Sequence, residues 1–159
     1  MSNISKVSYL LGKFKGSGKG EYPTITPFTY TEEIEFSNNG KPFIFYQQKT
    51  WNVNGQPLHS ESGYMRFPPN GKVELVISEP TGINEIYDGE ITGENNEILT
   101  FKLTNIQRTP TAKPPHTTNV IRKFTFDQSA NTLSYTMDMA TTTTTDLTHH
   151  LSATLQKQL

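Results

Sequence analysis

Four histidines are the side chains of this sequence best suited to bind a metal: His59, His116, His149 and His150. Neighbouring residues of a strand point to opposite faces, so at most one of His149 and His150 can face a barrel interior. Neither is followed two residues later by a histidine or a carboxylate, so the ligand spacing of a closed zinc site is absent. A single imidazole is sufficient for a haem, because the porphyrin supplies the other four nitrogen ligands.

The alternation of the last predicted strand leaves the direction of His150 open. His150 shares a face with Ser152 and Thr154, whereas Leu151 and Leu155 lie on the more apolar face. Strict alternation therefore turns His150 away from an apolar interior and makes it a surface histidine. A β-bulge near the start of the strand would shift this alternation and turn the ring inward.

The remaining polar candidates carry weaker signals. His59 shares a face with Glu61, which fits either a partly buried contact inside a barrel or a surface pair. His116 lies in a proline-rich loop and is expected to be solvated. No Gly-x-Ser-x-Gly elbow supports a serine nucleophile. The glycine-rich run 16–20 lacks the spacer, the Lys-Ser/Thr end and the following helix of a phosphate loop.

Composition excludes several classes of protein. The net charge is −1 and the 14 Lys and Arg are scattered, so neither a nucleic-acid face nor a membrane-surface patch is indicated. There is no cysteine, which excludes disulfides, iron–sulfur clusters, thiolate-ligated haem and covalent haem attachment. Met1 to Lys6 lacks a signal-peptide apolar run, and no window is apolar enough to span a membrane. We therefore expect a cytoplasmic protein, with the nucleus as an alternative location.

The hydrophobic pattern has period two along most of the chain and is interrupted by turn signals such as Asn38-Asn39-Gly40. Such evenly spaced hairpins are typical of an up-and-down barrel or a sandwich, and a barrel of about eight or more strands leaves room for one ligand. Val7 to Leu11 is expected to form a short helical turn that plugs one end. The ten predicted strands are Gly12–Gly20, Thr26–Ser37, Pro42–Trp51, Pro57–Phe67, Lys72–Ser78, Ile83–Ile91, Ile98–Ile106, Thr118–Phe126, Leu133–Met139 and Thr148–Gln156.

One block near the N-terminus identifies a family resemblance. The run Gly12–Ile25, with the sequence GKFKGSGKGEYPTI, closely resembles the opening signature of the nitrobindin family. Further blocks match in the same order, and together they cover nearly the whole chain. These blocks are Tyr30–Glu33, Gly40–Pro42, Pro57–Tyr64, Pro80–Gly82, Met139–Thr143 and His150–Leu151.

The resemblance implies an all-β, ten-stranded antiparallel up-and-down barrel, similar to lipocalins and fatty-acid-binding proteins, in a single domain covering residues 1–159. It also implies a noncovalent haem b at one mouth, with peroxynitrite isomerised to nitrate on ferric haem and nitric oxide bound as a ligand. No nucleic acid or membrane partner is expected, and a homodimer is left open. By the same matching His150 is the axial ligand of the iron, Thr24 contacts the haem, and the pocket is lined by Leu58, His59, Glu79 and Met139.

Three departures from the family pattern concern the activity more than the fold. Phe14 stands where the family usually has Trp. The threonine run 141–145 is one residue longer than usual, which could change the loop before His150. Glu79 occupies a position where a neutral Gln can stand, and a carboxylate there could raise haem affinity or repel anionic peroxynitrite.

A noncatalytic carrier of fatty acids or other small apolar molecules is the alternative function for such a barrel. Fatty-acid carriers usually fix the ligand carboxylate with a buried arginine, for which Arg122 and Arg66 are the candidates. A nitric oxide sensor or store is a third hypothesis, since it shares the haem and needs no turnover.

Overall fold

Ten antiparallel strands close into one barrel in the computed structural model, which describes residues 3–159. The first two residues of the predicted domain lie outside the described residues. Each strand pairs with its neighbours in sequence, and β1 also pairs with β10, which closes the sheet. The predicted all-β, ten-stranded up-and-down barrel is therefore confirmed. The strands are β1 (Gly12–Tyr22), β2 (Ile25–Ser37), β3 (Phe43–Trp51), β4 (Pro57–Arg66), β5 (Val73–Glu79), β6 (Ile83–Thr92), β7 (Ile98–Arg108), β8 (Thr117–Asp127), β9 (Thr132–Thr141) and β10 (Thr148–Lys157).

Closure of the barrel depends on glycines in β1, because β1 and β10 approach each other closely. A Cβ atom at Gly16 would lie 2.2 Å from the carbonyl oxygen of Thr154 and 2.8 Å from the Cα of Leu155. No side chain larger than hydrogen fits there without moving the β10 backbone. The alternate glycines of the sequence thus mark the seam between the first and last strands.

One end of the barrel is closed by an N-terminal 3-10 segment, Asn3–Leu10, which is kinked at Val7. The segment starts earlier than the predicted turn Val7 to Leu11, and Val7 and Leu10 are its buried residues. Tyr9 stacks on Phe126 with ring centroids 4.5 Å apart, and its hydroxyl donates to the carbonyl of Asn96 over 2.7 Å. The segment therefore acts as an apolar plug that is hydrogen-bonded to the barrel wall.

The barrel interior is apolar at the plugged end and polar farther along its axis. Phe14, which is fully buried next to the plug, makes edge-on contacts with Phe36 and Phe126. Inward positions nearer the other end carry charged and amide groups instead, among them Glu32, which interrupts the apolar face of β2. Within residues 3–159, no helix has the length and apolarity needed to cross a membrane.

Candidate functional site

The end of the barrel opposite the plug opens into a cavity of about 280 Å³. Because the strands are antiparallel, this mouth is formed by the last residues of odd-numbered strands and the first residues of even-numbered ones. Its outer part is mainly apolar and its floor is charged. The lining residues are Phe28, Tyr30, Gln48, Thr50, Leu58, His59, Glu61, Glu79, Glu85, Thr117, Val120, Arg122, Met137, Met139, His150 and Leu151.

A β-bulge turns His150 toward this cavity. In the pairing of β10 with β9, His149 lies opposite Asp138 while Leu151 lies opposite Met137, so the register shifts around His150. Both His150 and Leu151 line the cavity as a result, although they are adjacent in sequence. Strict alternation would have pointed His150 outward, and the bulge is the reason it does not.

The tautomer of His150 is fixed by a backbone carbonyl. Its Nδ1 lies 2.9 Å from the oxygen of Glu21, and a carbonyl oxygen can only accept, so Nδ1 carries the hydrogen. The lone pair of the neutral ring then sits on Nε2, for which no hydrogen-bond partner is found among residues 3–159. Burial lowers the pKa of His150 despite the hydrogen bond to Glu21, which favours the neutral ring. The Tyr22 ring packs edge-on against the imidazole, with centroids 5.2 Å apart.

His149 points to the outer surface of the barrel. Its Nδ1 lies 3.3 Å from a carboxylate oxygen of Asp138, and its Nε2 lies 3.9 Å from Glu21 Oε1. The ring borders a shallow groove of about 640 Å³ on the outside of the mouth, whose lining includes Phe28 and Leu58. Because both residues also line the cavity, the groove and the cavity adjoin at the rim.

The cavity floor is organised around the buried guanidinium of Arg122. Its Nη1 donates to Glu61 Oε2 over 2.9 Å, and its Nε donates to the Tyr87 hydroxyl over 3.1 Å. A second carboxylate, that of Glu85, lies 3.7 Å from Nη2 and accepts a hydrogen bond from Tyr87. Burial alone would raise the pKa of Glu61, but Arg122 and His59 hold it below its usual value. Glu61 is therefore an ionised buried group.

His59 and Glu79 complete the floor on its exposed side. His59 Nε2 lies 3.1 Å from Glu61 Oε1, so the contact is inside the barrel and the surface-pair alternative is excluded. The carboxyl of Glu79 lies beside that of Glu85. Burial, followed by this neighbouring carboxyl, raises the pKa of Glu79 to about 9. Glu79 is consequently protonated at neutral pH.

A second polar cluster lies beside this floor. Glu32 accepts hydrogen bonds from the Gln48 amide and, over 3.0 Å, from the Tyr135 hydroxyl, which in turn contacts the Tyr30 hydroxyl at 2.7 Å. Burial raises the pKa of Glu32 to about 7. The other carboxylate oxygen of Glu32 and the amide oxygen of Gln48 are buried with no hydrogen-bond partner.

The structure brings five of the six predicted site residues into the lining of one cavity. His150, Leu58, His59, Glu79 and Met139 all line it. Thr24 does not line the cavity.

The exposed Thr24 lies in the turn between β1 and β2, two residues after Tyr22. Because Tyr22 packs on His150, this turn is at the same rim as the histidine. The sequence matching therefore selects residues that lie at one end of the barrel, although the role of each stays a prediction.

Sequence reasoning missed the acidic floor. Glu85 and Tyr87 are not among the predicted site residues, Glu61 enters only as the partner of His59, and Arg122 enters only as a candidate anchor for a fatty acid. A usable signal existed, because Arg122 alternates with Val120 and Phe124 on the inward face of its strand. A charge at an inward position of an otherwise apolar face indicates a buried ion pair.

The other two departures from the family pattern lie at opposite ends of the barrel. Phe14 is at the plugged end, with Lys157 Nζ 5.6 Å from its ring centre, so the missing indole does not alter the mouth. The threonine run is tied down: the hydroxyl of Thr141 accepts from the amides of Thr143 and Thr144 over 3.3 and 3.0 Å. The threonine run thus forms an ordered turn before β10.

The two candidate fatty-acid anchors are both occupied. Arg66 lies on the outer face, where it forms an ion pair with Glu74. Arg122 faces the cavity, but Glu61 and Glu85 already compensate its charge.

Comparison with known proteins agrees with this architecture. Residues 3–157 match the family model described as "THAP4-like, heme-binding beta-barrel domain". The chain is 41% identical over 157 residues to a peroxynitrite isomerase of Nocardia farcinica, covering 98% of this chain and 90% of the relative. It is 40% identical over 155 residues to "Peroxynitrite isomerase Rv2717c" of Arabidopsis thaliana, covering 97% and 88%.

A solved structure shares the fold. The crystal structure of Rv2717c from M. tuberculosis superimposes with a TM-score of 0.87 at 40% identity, covering 100% of this chain and 99% of that chain. A matching family model over almost all of the chain, together with relatives of this identity, shows common descent of the whole barrel. The chain belongs to the family of THAP4-like, heme-binding β-barrel domains, the nitrobindin family.

Proposed function

We propose that this protein binds haem b noncovalently through His150 and isomerises peroxynitrite to nitrate, with nitric oxide as a further ligand. The observation that carries the proposal is the bulged His150, whose Nδ1–H is donated to the Glu21 carbonyl. That arrangement leaves the Nε2 lone pair available to an iron, as in other histidine-ligated metal sites. The haem-binding family and the names of the relatives support the same function.

The shape and chemistry of the mouth fit a large flat ligand. The rim offers apolar surface from Phe28, Leu58 and Met139. The cavity of about 280 Å³ is near the lower end of the range for ligand sites, about 300–1,000 Å³. Phe28 and Leu58, which line both the cavity and the outer groove, would contact the part of a macrocycle that this volume does not enclose. The absence of cysteine from the sequence supports noncovalent attachment.

The side chains around the site have separable tasks. Ferric haem, when bound, supplies a Lewis acid that polarises peroxynitrite. The neutral ring of His150 holds the iron, and the Glu21 carbonyl keeps the ring in one tautomer. Leu58 and Met139 present apolar walls that limit water. Glu79 retains its proton at neutral pH, so it does not repel an anionic substrate as an ionised carboxylate would.

Replacement of His150 tests the ligand assignment. After reconstitution with hemin, wild-type protein and the His149→Ala control should show the same Soret band and the same nitrate yield from peroxynitrite in stopped-flow mixing. His150→Ala should lose that band and the catalysed nitrate formation. His149 is a matched control because it is the adjacent imidazole on the opposite face. An unchanged Soret band in His150→Ala would show that another group holds the haem.

The carrier hypothesis is tested with the same preparations. Because Glu61 and Glu85 already neutralise Arg122, the cavity offers no free cation to a fatty-acid carboxylate. We expect hemin to bind stoichiometrically and a fluorescent fatty acid to bind weakly and be displaced by hemin. Tight, saturable fatty-acid binding by the wild-type protein that hemin does not displace would favour the carrier.

A further inference from the structure

The floor of the cavity holds a cluster of metal-binding groups that is separate from His150. One ligand atom from each of His59, Glu61 and Glu79 lies within 4.8 Å of the others. Glu61 is buried, whereas His59 and Glu79 are half-buried and face the cavity. An imidazole and two carboxylates at this spacing make a donor set for a divalent first-row transition ion.

The separations are close to those of an assembled site. Two ligand atoms that each lie about 2.1 Å from a tetrahedral zinc ion are about 3.4 Å apart. His59 Nε2 and Glu61 Oε1, at 3.1 Å, are already near this spacing. All three ligand atoms lie within 4.8 Å of one another, so binding would draw the Glu79 carboxyl closer by at most about 1.4 Å.

An independent observation is an orphaned acceptor in the same cavity. Gln48 lies directly opposite Glu61 in the pairing of β3 with β4, and its side chain lines the cavity. Gln48 is only 4% exposed, yet its amide oxygen has no hydrogen-bond partner, and the same is true of one oxygen of Glu32. Buried acceptors without donors are costly, and a cation or its bound water satisfies them.

The charges around the cluster also favour a bound cation. Four carboxyl groups, those of Glu32, Glu61, Glu79 and Glu85, surround the cavity floor with a single guanidinium, that of Arg122. Binding of a divalent ion would place positive charge among carboxyl groups whose ionised form is costly to bury, and the Glu79 carboxyl would release its proton to solvent on coordination.

We propose that His59, Glu61 and Glu79 bind a divalent transition-metal ion of the Zn²⁺ type on the cavity floor, with Gln48 as the neighbouring oxygen donor. The imidazole ligand favours such an ion over Mg²⁺ or Ca²⁺, which prefer oxygen-only sites. The site does not use His150, so the metal test does not depend on the haem-ligand assignment, although His59 and Glu79 also line the cavity expected to hold haem. With haem present, the barrel would hold two metals at different depths.

Metal titration of the full-length protein tests the site. Zn²⁺ binding is followed calorimetrically, and Co²⁺ binding is followed by its visible absorption, first without haem and then with it. We expect one equivalent of either ion to bind and to raise the melting temperature. Mg²⁺ should have neither effect. Absence of stoichiometric Zn²⁺ binding by wild-type protein would overturn the proposal.

Variants locate the ion. His59→Gln and Glu79→Gln keep the Arg122–Glu61 pair and should each weaken binding about tenfold or more, since even groups next to metal ligands contribute about 10–100-fold. His149→Ala is the matched control, because it removes an outward imidazole beside Asp138 and Glu21. Loss of the bound equivalent of Zn²⁺ in His149→Ala, with Zn²⁺ binding retained in His59→Gln, would place the ion on the outer surface. That result would refute the proposal.

The haem and metal experiments have separate outcomes. A Soret band that depends on His150 together with no Zn²⁺ binding would refute only the metal site. Zn²⁺ binding that depends on His59, together with no Soret change in His150→Ala, would refute only the haem-ligand assignment.

Discussion

The two ends of this barrel have different interiors, although the same ten strands form both. At the plugged end the inward positions are filled by aromatic and aliphatic side chains such as Phe14 and Leu133, which are fully buried. At the open end the inward positions carry Glu61, Glu85 and Arg122, whose burial has to be compensated by pairing. The apolar side chains that stabilise the fold and the charged groups of the candidate site therefore lie at different ends of the barrel axis. Each set can be changed without altering the other.

The largest expected effect comes from the plugged end. Phe14→Ala removes a buried ring that contacts Phe36 and Phe126 and should cost about 4 kcal/mol of unfolding free energy, as is usual for such truncations. Urea denaturation measures the loss, with Phe28→Ala at the partly exposed rim as the control and a smaller expected cost. Hemin affinity of the folded fraction should be unchanged. Equal losses in the two variants would contradict the division between the ends.

The second effect tests the charged floor. Arg122→Met leaves Glu61 and Glu85 buried without their cation and should cost about 3 kcal/mol. The double variant Arg122→Met/Glu61→Gln should recover part of this loss, because one of the stranded charges is then neutral. A double-mutant cycle from urea denaturation gives the coupling. Additive single and double effects would mean that the pair is not coupled in solution.

The third effect is a pH dependence at Glu32. Because its pKa is raised to about 7, the folded state keeps a proton that the unfolded state releases near pH 4.5, so this group lowers stability as pH rises through that window. Glu32→Gln mimics the protonated carboxyl. The stability of the variant relative to wild type should grow from pH 4.5 to 7 by at most about 3 kcal/mol and then level off. A difference that is constant with pH would show that Glu32 has an ordinary pKa.

The smallest change in unfolding free energy is expected on the outer surface of the barrel. His149→Ala removes a partly exposed ring that contacts Asp138 and Glu21 and should change the unfolding free energy by less than about 0.5 kcal/mol. Thermal and urea unfolding of the variant provide the check. A loss as large as that for Arg122→Met would mean that the outer surface near the mouth also contributes to stability.

The fold was predictable because hairpin turns and period-two alternation are local signals. Asn39-Gly40 and Asn54-Gly55 place glycine where the backbone has φ of +89° and +77°, and each joins two strands that were expected. The direction of His150 was not predictable from alternation, since it depends on a register shift between β10 and β9. The resemblance to nitrobindins selected His150 where periodicity alone favoured the surface.

The charged floor was harder to predict for a different reason. Burial of Glu32 or Arg122 is acceptable only when partners from other strands surround it, and those partners are distant in sequence. Arg122 and Glu61, for example, are 61 residues apart. A single strand pattern reveals that a charge faces inward, but it does not identify the group that compensates the charge.

The seam between β1 and β10 has a consequence for synthesis of the protein. The contact that fixes the His150 tautomer joins residues separated by 129 positions, and the strand that carries the ring is the tenth. A nascent chain that has not yet released this strand from the ribosome has neither the imidazole nor a closed wall. If His150 holds the haem as proposed, haem binding follows translation of the whole barrel and requires that the last strand has paired with the first.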